Sequence, residues 1–261
     1  MTADDRSALI ARLVERLRAD GHSGGGGWGY SSGNSGRIEP TCWALLALSS
    51  TWEPAWGSWA EFARPHIGFL ASRQAADGLL SDTEPELFNL ASDGLAAIVL
   101  TELAPLVHGT LVDRLFDGLV GVKGVRIRAS DPKQDNALQG WPWIRDTFSW
   151  VEPTSWCLLA LKKAGPARRT RAAVARIEEA EKLLLNRVCS GGGWNYGNAS
   201  ALGQDLRAYV PTTALALLAM RNRRSEPAVA QSLEFLAKQR LSEQGAVTLA
   251  LTTMKIGRAH V

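Results

Sequence analysis

Gln139-Gly140-Trp141-Pro142-Trp143, then Ser149-Trp150-Val151-Glu152-Pro153-Thr154, then Ser155-Trp156-Cys157-Leu158-Leu159-Ala160-Leu161, is a phrase the chain writes three times. The earlier copy has Gly24 to Gly27, Trp28-Gly29-Tyr30, Glu39-Pro40-Thr41, then Cys42-Trp43-Ala44-Leu45-Leu46-Ala47-Leu48. The later one has Gly191-Gly192-Gly193-Trp194-Asn195-Tyr196, Val210-Pro211-Thr212, then Thr213-Ala214-Leu215-Ala216-Leu217-Leu218-Ala219-Met220. A weaker fourth copy leads from Gln74-Ala75-Ala76-Asp77-Gly78 to Leu95-Ala96-Ala97-Ile98-Val99-Leu100, with Ser92 in the Pro position and Asp93 in the Thr position. A fifth begins at Gln239 and enters Gly245-Ala246-Val247-Thr248-Leu249-Ala250-Leu251. Self-similarity at intervals of roughly 55 residues signals a repeat architecture.

Pro suits the first turn of a helix, where its missing N–H would be unpaired anyway. The Leu/Ala run behind it is apolar on nearly every face, which predicts a helix buried all round. Glycine runs let the backbone turn with positive φ. Each Trp brings a large apolar area and one N–H that needs a partner.

Asp4 to Ala19 reads as an amphipathic helix ended by Gly21. Helices follow from Pro40 to Ser49 and onward to Gln74, with Pro65 predicting a kink or a late start. Further pairs are Glu86–Leu103 with Leu106–Val120, Pro153–Lys163 with Ala167–Asn186, and Pro211–Arg221 with Glu226–Arg240. Apolar members should form an inner layer and amphipathic members an outer one. Arg168, Arg169, Arg171, Arg176, Glu178, Glu179, Glu181 and Lys182 are expected on an outer, charged face. Gly124 to Phe148 has no helical period, and long ordered loops of that kind often carry function. The alternation fits an all-α ring of helical hairpins or a stacked helical solenoid.

At 261 residues the chain can bury about three quarters of its unfolded surface. A net charge of +3 is too small to argue for nucleic acid. No apolar run approaches the roughly 20 residues of a membrane span, which leaves room only for peripheral membrane contact. Met1 to Asp20 lacks the apolar core of a cleavable signal. Cys42, Cys157 and Cys189 are too scattered for a disulfide framework, so a cytoplasmic, reduced chain is the default. The sequence does not set the oligomeric state.

The repeats resemble those of the terpenoid cyclase and protein prenyltransferase superfamily, including the Gln…Gly…Trp units of squalene–hopene-type cyclases. The resemblance spans Gly24 to about Leu251 and implies an α/α toroid, with apolar isoprenoid-like substrates held in a central cavity. It also implies acid or zinc chemistry. Class II cyclases protonate an alkene or epoxide with an Asp-x-Asp-Asp motif, which this chain lacks. Asp82-Thr83-Glu84 and the pair Asp131 and Asp135 read as solvated loop carboxylates, and Asp93 reads equally as a helix cap. Prenyltransferases hold zinc with Asp, Cys and His. Cys42 is near a helix start, but His22, His66 and His108 are not, so neither a metal nor a cofactor is expected. The Cys-Gly-Glu-Gln of thioester domains is absent.

The candidate catalytic residues are therefore Asp93, Glu39, Glu152 and Asp135, with Glu39 and Glu152 equally well explained by the helix dipole. The candidate substrate-binding residues are Trp43, Trp143, Trp150, Trp156, Tyr196 and Tyr209, whose rings could either line a cavity or staple each loop to its own hairpin. Two functions follow: an enzyme of cyclase or prenyltransferase type acting on an isoprenoid-like substrate, or a non-catalytic toroid that binds an apolar ligand, a peptide or a protein.

The heptapeptide Lys255-Ile256-Gly257-Arg258-Ala259-His260-Val261 does not continue the repeat and can be back-translated into a common sequencing-adapter sequence. One domain over 1–254 with a non-native tail is therefore expected. It would be an incomplete ring, with apolar side chains exposed on its first or last hairpin.

Overall fold

The computed structural model describes residues 3–21, 25–82, 89–127, 134–201 and 203–257. His22, Glu84, Asp131 and the tail from Arg258 lie outside them. The elements in chain order are α1 (Ala3–Gly21), α2 (Ile38–Thr51), α3 (Trp59–Ser72), α4 (Leu90–Glu102), α5 (Gly109–Gly121), α6 (Val151–Lys163), α7 (Arg171–Asn186), α8 (Val210–Ala219), α9 (Pro227–Gln239) and α10 (Ala246–Gly257). Among the described residues the only strands are β1 (Ser200–Ala201) and β2 (Gln204–Asp205), a two-stranded antiparallel hairpin. The chain forms two compact units, Met1–Phe88 with Leu95–Gly118, and Asn89–Gly94 with Leu119–Val261. In the first, α2 packs on α1 and α3. In the second, α6, α8 and α10 pack in succession, with α7 against α6 and α9 against α8.

One clamp recurs in both units. The backbone N–H of Trp28 donates to Thr41 Oγ1, that of Trp141 to Thr154 Oγ1 and that of Trp194 to Thr213 Oγ1, each at 2.9 Å. The hydroxyl returns its proton toward the carbonyl of the same Trp. Each indole Nε1 donates to the closing turn of the amphipathic helix before it, at Leu17, Leu119 and Leu184. All three Trp are buried, and the backbone N–H, carbonyl and indole N–H of each are satisfied inside the core. The clamp corrects the alignment of the third copy. Thr213, not Thr212, is the equivalent of Thr41 and Thr154, which puts Pro211 level with Glu39 and Glu152. In the fourth copy Leu80 occupies the Trp position, buried, and Gly78 the turn before it. Gly78 has φ +90, and a Cβ there would stand 2.0 Å from the Arg114 carbonyl oxygen of α5, so only glycine fits.

The apolar helices begin one or two residues before the expected proline. Their flanking residues, Arg37, Trp150 and Tyr209, are extended and give no side-chain cap. The next loop supplies an acceptor instead. Ile38 N donates to Asp82 Oδ1 at 2.7 Å, Leu90 N to the Trp143 carbonyl at 3.2 Å and Val151 N to the Tyr196 carbonyl at 2.8 Å. The amphipathic helices α3 and α7 use ordinary caps, Ser58 and Thr170. Asp93 is therefore not a cap. It sits a full turn inside α4, buried, with its N–H on the Asn89 carbonyl, in the position of the clamp threonines. Helix α3 runs from Trp59 through Pro65 without a late start.

The expected outer charges split. Arg176 and Glu181 of α7 are buried. Arg176 donates to the carbonyls of Val122, Gln139 and Gly140 and lies 4.1 Å from the Trp141 ring centroid. Glu181 accepts from Lys162 (2.7 Å), Arg223 (2.7 Å) and Asn222 (2.9 Å). The arginine thus serves as a rigid fork inside a loop that has Gln139 where other copies have glycine. Helix α1 exposes Leu9, Ile10 and Leu13, and α10 exposes Val247 and Leu249.

Two outcomes are expected. Replacing Trp194 by Phe removes the indole donor of the Leu184 carbonyl, leaving it only the longer Arg187 N–H, and should cost about 1 kcal/mol in denaturant unfolding, while Thr213→Val strands the Trp194 N–H and should cost about 1–3 kcal/mol. The two changes together should cost less than their sum, because they release one clamp. The second outcome concerns acid. Burial would raise the Glu181 carboxyl, but hydrogen bonds from Lys162, Asn222 and Arg223 outweigh it and hold the group below its ordinary 4.5. That contribution is present above pH 4.5 and is lost as pH falls through the lower folded value. Thermal melts should drop in that range, and Glu181→Gln should be less stable at neutral pH with a shallower acid drop. Parallel acid profiles would refute this.

Candidate functional site

The repeat places a ring just before two apolar helices of the second unit. Trp150 precedes α6 and Tyr209 precedes α8, both half-buried on extended backbone. Residues two apart on extended backbone face the same side. Phe148 accordingly lies 4.6 Å from Trp150, and the Arg207 guanidinium 5.5 Å from the Tyr209 ring. Tyr196 stands 5.4 Å from Tyr209, held there because its carbonyl receives the Val151 N–H. Gly197 lets Trp150 lie flat on the backbone, since a Cβ there would come within 3.0 Å of the indole. The result is a shelf of two ring pairs, Phe148 with Trp150 and Tyr196 with Tyr209, bridged where Gly197, next to Tyr196, meets the Trp150 indole; Phe148 and Tyr196 are well exposed.

Three of the six expected binding residues meet on this shelf. Trp156 instead is buried, with its backbone pressed against Gly94 of α4, where a Cβ would stand 2.7 Å from it. Trp143 is half-buried and its carbonyl receives Leu90 N. Trp43 is half-buried on α2, in the first unit. The shelf members missed in the sequence are Phe148 and Arg207. The signal for both was their place two residues before a helix-flanking ring.

The acidic candidates do not assemble into one group. Asp93 is buried beside Cys157, whose thiol donates to the Leu90 carbonyl. Burial first, and then the Asp93 charge, push that thiol well above its ordinary range, so it is an unreactive core group. Cys42 and Cys189 are buried as well. Asp135 is exposed and closes a turn onto Ala137 N, while the Asp135 carbonyl and Asn136 are held by the buried Arg187. Glu152 is half-buried in the first turn of α6. His66 is buried, accepts from Gly27 N at Nδ1 and stacks on Trp28 at 3.9 Å.

Around Glu39, in the first unit, an unexpected cluster forms. Tyr30 Oη donates to Glu39 Oε2 at 2.7 Å. Desolvation of the hydroxyl, then that hydrogen bond and the Glu39 charge, push the phenol up to about 12, although the ring is mostly exposed. Asp82 is not the solvated loop carboxylate expected. It is half-buried, and desolvation raises its carboxyl despite Ile38 N, Arg37 and Arg73, with Glu39 adding to the rise. Elsewhere in that unit a groove of about 810 Å³ runs between α1 and the turn after α2, lined by Ile10, Val14, Thr51 and Trp56 among others. No described helix is long and apolar enough to cross a membrane.

No family model matches the chain, and neither does any curated protein. Solved structures do. The type II terpene cyclase MstE from Scytonema, without ligand, matches with a TM-score of 0.60 at 20% identity, covering 92% of this chain and 64% of the cyclase. A variant of the same cyclase in complex with geranylgeranyl dihydroxybenzoate, its substrate, matches with a TM-score of 0.60 at 17% identity over 95% of this chain and 65% of that one. A protein from Actinoplanes matches with a TM-score of 0.59 at 19% identity over 92% and 67%. The chain thus spans about two thirds of the length of these neighbours. Its fold is terpene cyclase-like, of the all-α, α/α-toroid class.

Proposed function

We propose that a terpene cyclase-like fold here binds an isoprenoid-like apolar ligand on the ring shelf of the second unit. The observation that carries this reading is the pairing of Phe148 with Trp150 and of Tyr196 with Tyr209, bridged at Gly197. Aromatic faces half open to solvent offer a flat apolar chain a large contact area at little entropic cost. The fold neighbour solved with a prenylated substrate supports the same ligand class. Titration calorimetry with farnesol should give saturable binding, and Trp150→Ala should weaken it about tenfold with the fold intact by circular dichroism. Unchanged affinity in that variant would favour rings that serve only as staples.

A separate, catalytic reading of the first unit has one observation in its favour. Asp82, kept protonated to a higher pH than an ordinary Asp, stands with Glu39 and Tyr30 at the start of α2, where other copies offer a backbone carbonyl. A carboxyl with raised proton affinity beside a second carboxyl is an arrangement that general acid–base chemistry can use. Incubation with squalene and prenyl diphosphates should then yield a product that Asp82→Asn abolishes while farnesol binding persists. Binding without any product would leave a non-catalytic toroid.

A further inference from the structure

We propose that Arg207 is an anion-binding end of the ring shelf, so that the ligand is an amphiphile with an isoprenoid-like tail and a carboxylate or phosphate-ester head. This rests on the shelf holding an apolar chain, as proposed above. Two successive repeats build the shelf, and each places a side chain from two positions upstream on its helix-flanking ring. In one repeat that side chain is Phe148, 4.6 Å from Trp150; in the next it is Arg207, 5.5 Å from Tyr209. The same slot thus carries a ring at one end of the shelf and a cation at the other.

The other well-placed arginines of this unit are already occupied. Arg176 is used up by three carbonyls and Glu179, Arg187 by the loop of Asp135 and Asn136, and Arg223 by Glu181 and Glu226. Arg207 is exposed, and among the described residues its contact is the Tyr209 ring. A guanidinium resting on an aromatic face loses little further freedom when it binds, and its planar fork matches the two oxygens of a carboxylate or phosphate. From that head position the tail runs along Tyr209 and Tyr196 toward Trp150 and Phe148. A neutral isoprenoid would gain only the rings.

An anionic head on an apolar tail occurs both on dissolved amphiphiles and in phospholipid membranes, and one cation at the end of two ring pairs, matching one head and one tail, commits the site to a single dissolved molecule. The test is calorimetry on the whole chain with farnesol and with farnesyl phosphate below its micelle concentration, beside sedimentation with phosphatidylcholine vesicles with and without phosphatidylserine. Farnesyl phosphate should bind about tenfold more tightly than farnesol. Arg207→Ala should erase that difference, and Arg207→Lys should restore part of it. Equal affinities for the two ligands in the wild-type chain, or an equal loss of both in Arg207→Ala, would overturn the anion end and leave the shelf standing. Failure of both ligands to bind would remove the shelf and the anion end together. Sedimentation with anionic vesicles, without binding of dissolved farnesyl phosphate, would assign Arg207 to a membrane surface and overturn the proposal.

Discussion

A threonine hydroxyl that accepts from a tryptophan backbone N–H and faces the same residue's carbonyl is the contact on which the repeat depends. Loops that enter a core bring backbone groups that water can no longer reach, and each left unpaired costs about 1–3 kcal/mol. Thr41, Thr154 and Thr213 settle both polar atoms of the buried Trp at once, from the first turn of an apolar helix. The indole N–H then ties the same loop to the preceding helix. Loop, apolar helix and amphipathic helix are fixed by one residue pair. That is why the rings of the shelf, two residues beyond the clamp or at the helix start, recur in register.

Where the chain departs from this pattern, polar side chains take over structural tasks from the backbone. Gln139 stands where other copies have glycine, and the buried Arg176 reaches in to collect the carbonyls around it. Asp82 replaces a backbone carbonyl as acceptor for the start of α2. Both changes put charge where the repeat would otherwise be neutral, and the second brings a carboxyl with raised affinity for its proton next to Glu39 and Tyr30.

Helix order and the apolar–amphipathic alternation were legible, because glycine, tryptophan, proline and Leu/Ala runs act within a few residues of one another. Asp93 aligns with the threonines in the sequence, but there an Asp suits a cap as well as acid chemistry, since a propensity for helix starts says nothing of which turn the residue occupies. The one-residue slip at Thr212 arose because two threonines follow Pro211 and only hydrogen-bond geometry separates them. Charges on α7 pointed to solvent by composition, yet Arg176 and Glu181 find partners in distant segments, Gln139 and Arg223 among them. For the shelf, Trp150, Tyr196 and Tyr209 stood out as large rings in corresponding loops. Arg207 did not, because its meaning comes from the ring it rests on rather than from its own type.

The acceptors that complete the apolar helices impose a direction on the chain's history. Ile38 finds its acceptor 44 residues downstream, and Leu90 and Val151 likewise wait for the loops that carry Trp143 and Tyr196. During synthesis at roughly 5–20 residues per second, each newly made apolar helix would keep a bare N-terminus for several seconds, until the next loop leaves the ribosome. These three repeats are thus finished by their successors, and the most recently made of their helices is the one most open to chaperones, or to pairing with the wrong partner.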